Sequence, residues 1–193
     1  EDAFQYTKEQ KQEAQIRYLI QQAKIRNSEL KTTSIQDFIR TLKDIKADGK
    51  SLELSNIEVS AYASPDGGMK LNTDLAKNRE SSSSNYVKQE LKRLKMAGNV
   101  EAKYTAEDWE GFQQLVSQSN IQDKDIILRV LSLYPDPEER ERQIRNLSAG
   151  FRELADEILP ELRRARLTIN YLLIGRSDDE IQAQYAADPA KLS

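Results

Sequence analysis

Arginine and aspartate carry most of the chemistry open to this sequence. The stretch Tyr62-Ala63-Ser64-Pro65-Asp66-Gly67-Gly68 ends an alternating run, and Asn72, Leu75 and Arg79 follow at three- and four-residue spacing. On a helix that spacing stacks the side chains along one side. Asn72 and Arg79 are therefore expected to face a ligand beside the turn, with Leu75 anchoring the helix to a sheet. A guanidinium fork takes a carboxylate in bidentate fashion, a nearby aspartate takes an amine, and unpaired N–H groups at a helix start favour an anion. Other chemistry is excluded by composition. The 193 residues include no Cys and no His, which removes thiol nucleophiles, the Ser-His-Asp triad, Cys/His zinc sites and imidazole acid-base catalysis. A hard cation held by carboxylates stays open.

Several other clusters have two readings each. Glu107-Asp108-Glu110 and Asp178-Asp179-Glu180 invite metal binding or paired-carboxylate hydrolysis, but both fit helix first turns, where negative charge offsets the macrodipole. Trp109, Phe112 and Tyr134 could line a sugar-binding surface; at helical spacing they read as core. Arg163, Arg164 and Arg166 could meet an anionic glycan or headgroup, or simply stand solvated at a strand entrance. Ser81 to Ser84 within a helix marks close packing or a solvent side.

The elements that must position these residues alternate along the chain. Residues 1–12 are polar and unpatterned, and a tail or frayed helix is expected there. Period-2 alternation predicts strands over 14–20, 57–64, 100–104 and 167–173. Between them, Ser34 with Asp37 reads as a capping box opening a helix through Phe38, Leu42 and Ile45. A long helix is expected over 71–97, stopped at Gly98. From Thr105 the pattern becomes purely helical, with caps predicted at Thr105, Asp123 and Asp136. Pro137 is expected at a first helical position, and Pro160 at a kink or end. A last helix is expected over 177–187. The fold class is thus α/β, an α+β sandwich in which βαβαβ, a helical excursion and a final strand build one mixed four-stranded sheet.

Charge and length set the remaining limits. With 29 Lys and Arg against 32 Asp and Glu, the formal net charge is −3, so no bulk attraction to nucleic acid is expected. No stretch reaches the ~18 apolar residues of a membrane span. Glu1 is not followed by a charged-then-apolar leader, so a leader removed or a start trimmed is expected.

The strand-end turn and the pattern Asn72-x-x-Leu75-x-x-x-Arg79 resemble the OmpA-like family, which binds peptidoglycan without hydrolysing it. The resemblance spans about residues 16–104 and resumes over 164–173. It implies an OmpA-like domain over 1–104 and 163–175, a helical insertion over 105–162, and a helix over 176–193 that could open a following repeat. It implies a ligand as well, the diaminopimelate end of a cell-wall stem peptide, with Arg79 as carboxylate clamp and Asp66 as ammonium partner. Asn72, Ser64 and Gly67 would shape the loop. Ser64 stands where the family carries its ammonium-binding aspartate, and Asp66 lies two residues on. Tyr-Ala-Ser-Pro-Asp-Gly, Glu107-Asp108-Trp109-Glu110-Gly111-Phe112 and Leu159-Pro160-Glu161-Leu162-Arg163-Arg164 resemble a variant from envelope proteins of Gram-negative anaerobes. The expectation is a non-enzymatic module of the periplasm and outer-membrane-associated envelope, without cofactor or metal. Its partners would be peptidoglycan and another envelope or surface-fibre protein. The alternative is a degenerate OmpA-like domain serving protein assembly alone; a carboxylate hydrolase is third.

Overall fold

The computed structural model describes residues 6–175. Strands β1 (Tyr6–Arg17), β2 (Leu52–Tyr62), β3 (Val100–Thr105) and β4 (Arg164–Gly175) form one sheet in the order β1-β4-β2-β3. β4 runs antiparallel to both neighbours, from Tyr6↔Gly175 on one side and Leu52↔Leu173 on the other, with a bulge between Leu54 and Asn56. β2 and β3 are parallel, in register from Ile57↔Val100. Helix α1 (Thr33–Ala47) connects β1 to β2 and α2 (Met69–Arg93) connects β2 to β3, the long crossover that a parallel pair requires. The mixed α/β architecture and the helical excursion before the last strand match the expectation.

Alternation makes the core. Ile57, Val59 and Ala61 of β2, with Leu167, Ile169 and Tyr171 of β4, bury one sheet face against Phe38, Leu42, Val87 and Leu91 of the two helices. Glu13, Glu58 and Arg166 on alternate positions remain exposed. Each fully buried Leu, Ile or Phe contributes about 1.5–3 kcal/mol.

The excursion between β3 and β4 has a core of its own, built from Phe112, Val116, Ile127, Leu131, Ile144, Leu154 and Leu162. Its helices are short: α3 (Trp109–Gln118), α4 (Lys124–Leu133), α5 (Pro137–Arg145), α6 (Ser148–Glu153) and α7 (Leu159–Leu162). Between α6 and α7 the turn widens into a π-helix at Leu154–Ile158. It ends two residues before Pro160, which has no N–H to continue the regular ladder.

Several local expectations are corrected. Residues 6–12 form the first half of β1 rather than a tail. Backbone pairing on an edge strand needs no apolar side chains, so the polar sequence conceals it. The cap of α1 is Thr32, whose hydroxyl accepts from Ile35 N–H at 3.4 Å, not Ser34. Asp108 rather than Thr105 caps α3, accepting from Gly111 N–H at 3.0 Å. A Cβ on Gly111 would lie 2.4 Å from an Asp108 carboxylate oxygen, so glycine is required for that approach. Asp123 precedes α4 in the left-handed region, φ 61°, and its side chain makes no cap bond. Asp136 and Pro137 start α5 as expected, with Asp136 accepting from Glu139 N–H at 3.2 Å. The helix expected over 176–193, with Asp178, Asp179 and Glu180, lies outside the described residues.

Candidate functional site

At the end of β2 the chain turns through Ser64, Pro65 and Asp66 to Gly67, whose φ of 93° is a conformation only glycine adopts without strain. Helix α2 then starts after Gly68. Its buried positions include Asn72, Ala76, Arg79, Ser83 and Val87, so Asn72 and Arg79 turn inward. Leu75 is only half-buried and lines a pocket together with them, rather than anchoring the helix to the sheet. The helix is rotated from the orientation expected from the three-four spacing, because its small and polar residues suit the close approach to the sheet.

Arg79 has no exposed surface. Its Nε donates to Gln22 O at 2.9 Å, Nη1 to Tyr62 O at 3.0 Å and Nη2 to Leu19 O at 3.2 Å. The guanidinium also lies over the Tyr18 ring, 5.3 Å from its centroid. The expectation that Arg79 is free to clamp a ligand carboxylate is therefore corrected: three backbone carbonyls, of Leu19 and Gln22 after β1 and of Tyr62 at the end of β2, take its donors. Burial pulls the pKa of Arg79 down to about 10, opposed by Tyr18 and Asp66, and the group is still charged at neutral pH. Tyr18, whose pKa burial raises, closes this inner layer through a 2.5 Å bond between its hydroxyl and Ser83 Oγ.

A pocket of about 280 Å³ opens above this layer. Asp66, Leu71, Leu75, Arg145, Phe151 and Arg163 line it, with Asn72 and Arg79 buried at its floor and Ile20 and Gln21 joining from the segment that Arg79 pins. Asp66 Oδ2 stands 3.6 Å from Arg163 Nη2, and the two side chains are mostly covered, 17% and 11% exposed. Ser64 Oγ donates to Asp66 Oδ1, which orients the carboxylate. Arg145 reaches the pocket from α5, its guanidinium 5.0 Å from the Phe151 ring centroid. Leu71 and Ile20 at the mouth are exposed apolar residues. The pocket thus combines a fixed acid, two guanidinium groups and an apolar rim. It is near the small end of ligand pockets, with room for one amino-acid-sized group carrying both charges.

The insertion meets the turn through carboxylates. Gly67 N–H donates to Glu141 Oε1 at 2.7 Å. Asn72 Nδ2 donates to Glu107 Oε2 at 3.0 Å and more weakly to Gly67 O at 3.4 Å, while Trp109 Nε1 donates to Glu107 Oε1 at 3.1 Å. Burial raises the Glu107 pKa; the bonds from Asn72 and Trp109 oppose that, and Glu141 and Glu138 add to it. Arg164, of the basic cluster at the start of β4, stands 3.6 Å from the capping Asp108 and over Tyr62. Asp66, Ser64, Gly67 and Asn72 are thus gathered at one turn, with Arg79 one layer below. Spacing gave no sign of Glu141 or Arg145, which arrive from a distant helix. Arg163 and Glu107 were visible as members of charged clusters.

Among the described residues no group of acids is arranged to hold a metal ion, and no helix is long and apolar enough to cross a membrane. No family model matches the chain, and no curated protein matches it either.

Proposed function

We propose that this chain is a non-catalytic binding module of the bacterial cell envelope, an OmpA-like domain that holds a peptidoglycan stem peptide in the pocket at the end of β2. The observation that carries this reading is the fixed pair of Asp66 and Arg163, 3.6 Å apart at the pocket wall. At that separation the two charges attract without a hydrogen bond, so each keeps its bonding capacity for a ligand. Asp66 takes the ammonium of the diaminopimelate end and Arg163 its carboxylate, while the methylene chain rests on Leu71 and Leu75. Arg79 is a positioning residue in this reading. By holding the carbonyls of Leu19 and Gln22 it fixes Ile20 and Gln21, which line the same pocket.

Sedimentation with purified cell-wall sacculi tests the proposal. Wild-type protein is expected in the pellet, and Asp66→Asn and Arg163→Ala in the supernatant, each losing a charge-assisted contact worth about tenfold or more in affinity. Equal retention of all three proteins would remove these residues from the site.

One observation favours a second reading. Gly67 and Asn72 are already bonded to Glu141 and Glu107 of the insertion, as in a domain that has exchanged wall binding for protein assembly in the outer membrane or surface-fibre machinery. If sacculi retain none of the three proteins while an envelope protein co-purifies with the wild type, this second reading replaces the first.

A further inference from the structure

We propose that Glu141 is an internal stand-in for a second carboxylate of the ligand, beside the one that Arg163 takes, so that the insertion sets both the affinity and the selectivity of the pocket. The inference rests on the reading of the pocket as a zwitterion site.

Three donors converge on one Glu141 oxygen. Oε1 accepts from Gly67 N–H at 2.7 Å, from Arg145 Nε at 3.2 Å and from Arg145 Nη2 at 3.1 Å. A backbone N–H beside a helix start and an arginine fork are what a free carboxylate needs. Both donors border the pocket. Glu141 and Arg145 lie four residues apart on α5, which places them on one face. The Phe151 ring lies 5.0 Å from the guanidinium, a contact that does not depend on the Glu141 carboxylate. The Glu141 side chain is 17% exposed, which gives it a route outward.

The neighbouring charges supply the selectivity. Glu107 lies close enough to both Glu141 and Glu138 for their charges to interact. A plain anion entering the seat meets the same repulsion as Glu141 and gains nothing by replacing it. A zwitterion brings an ammonium that offsets those acids and pairs with Asp66. Exchange is therefore favourable for an amino-acid-like end and unfavourable for an isolated carboxylate.

The test follows the Gly67 amide resonance by NMR in wild type, Glu141→Ala and Glu141→Gln, titrated separately with meso-diaminopimelate and with acetate. If the seat is free in only about a fifth of wild-type molecules, Glu141→Ala binds diaminopimelate about fivefold more tightly. Acetate is expected to shift the Gly67 resonance saturably in Glu141→Ala, replacing the deleted carboxylate, and to leave the wild type unmoved. Equal diaminopimelate affinity in folded wild type and Glu141→Ala overturns the stand-in and leaves the pocket reading in place. An acetate response in Glu141→Ala with no diaminopimelate binding by any protein upholds the internal carboxylate and removes the stem-peptide reading. Silence to both probes in all three proteins overturns both. Should Glu141→Ala fail to fold, the isosteric Glu141→Gln carries the comparison, again with tighter diaminopimelate binding expected than in the wild type.

Discussion

In the sheet half, Ile57, Val59 and Ala61 bury alternate positions of one strand under two long helices, whereas in the insertion Phe112, Val116, Ile127 and Leu131 bury three-four-spaced positions of helices no longer than ten residues. The first core is assembled from pairings between distant parts of the chain, the second from neighbours. Their polar solutions differ as well. The sheet half places a charged Arg79 inside, where it serves carbonyls from three separate residues. The insertion satisfies its helix ends locally: Arg140 donates to Tyr134 O at 2.5 Å and Leu131 O at 2.9 Å at the end of α4. A buried guanidinium can thus act as structural cement in one region while the exposed guanidinium of Arg145, at the same pocket, comes from the other.

The largest effect expected from breaking this contrast is at Arg79. Arg79→Ala removes a donor from three carbonyls, of which Leu19 O keeps the Gln22 N–H at 3.0 Å, and opens a cavity, at a cost of about 4 kcal/mol, read as a lower urea midpoint. Arg79→Lys should recover little, because one ammonium cannot span the three acceptors. A loss under ~1 kcal/mol for Arg79→Ala would show that the carbonyls find other partners. Phe112→Ala is next, at about 3 kcal/mol. Trp109 is the single tryptophan and packs on this core, with its ring 5.3 Å from Phe112 edge to face, so its fluorescence reports the insertion. Its transition is expected to move to lower urea ahead of the ellipticity of the sheet half. Coincident shifts would make the two cores one cooperative unit.

The smallest effect is at the junction. Burial holds the Glu107 carboxyl above its ordinary value of 4.5. An acid raised in the folded state stabilises while protonated; that contribution is complete below its unfolded pKa and disappears as pH rises through the folded one. Glu107→Gln lacks this loss, so its Tm relative to wild type should rise between about pH 4 and neutrality, by about 2 °C or less. A flat difference across that range would mean that the bonds from Asn72 and Trp109 already offset the burial.

Legibility in the sequence follows the same division. The buried strands and the excursion were readable because alternation and three-four spacing are local signals. The outer half of β1 was not, since Thr7 to Gln12 join the sheet through backbone alone. At the site, the turn from Ser64 to Gly67 was visible from residue type. The orientation of α2 was not, because whether Arg79 or Leu75 is the buried one depends on how closely the helix approaches the sheet. Glu141 and Arg145 came from seventy or more positions away, at a meeting that tertiary structure alone creates: Gly67 and Glu141 are separated by 74 residues.

The position of β4 between β1 and β2 has a consequence for biosynthesis. The last described strand to leave the ribosome is the one that bridges the others, so a nascent chain ending before Arg164 carries β1 and the β2-β3 pair as separate pieces with exposed edges. The insertion is complete by then, and it is the first compact body the emerging polypeptide can form. A released chain truncated after residue 163 should accordingly show protease protection confined to the segment from Trp109 to Leu162.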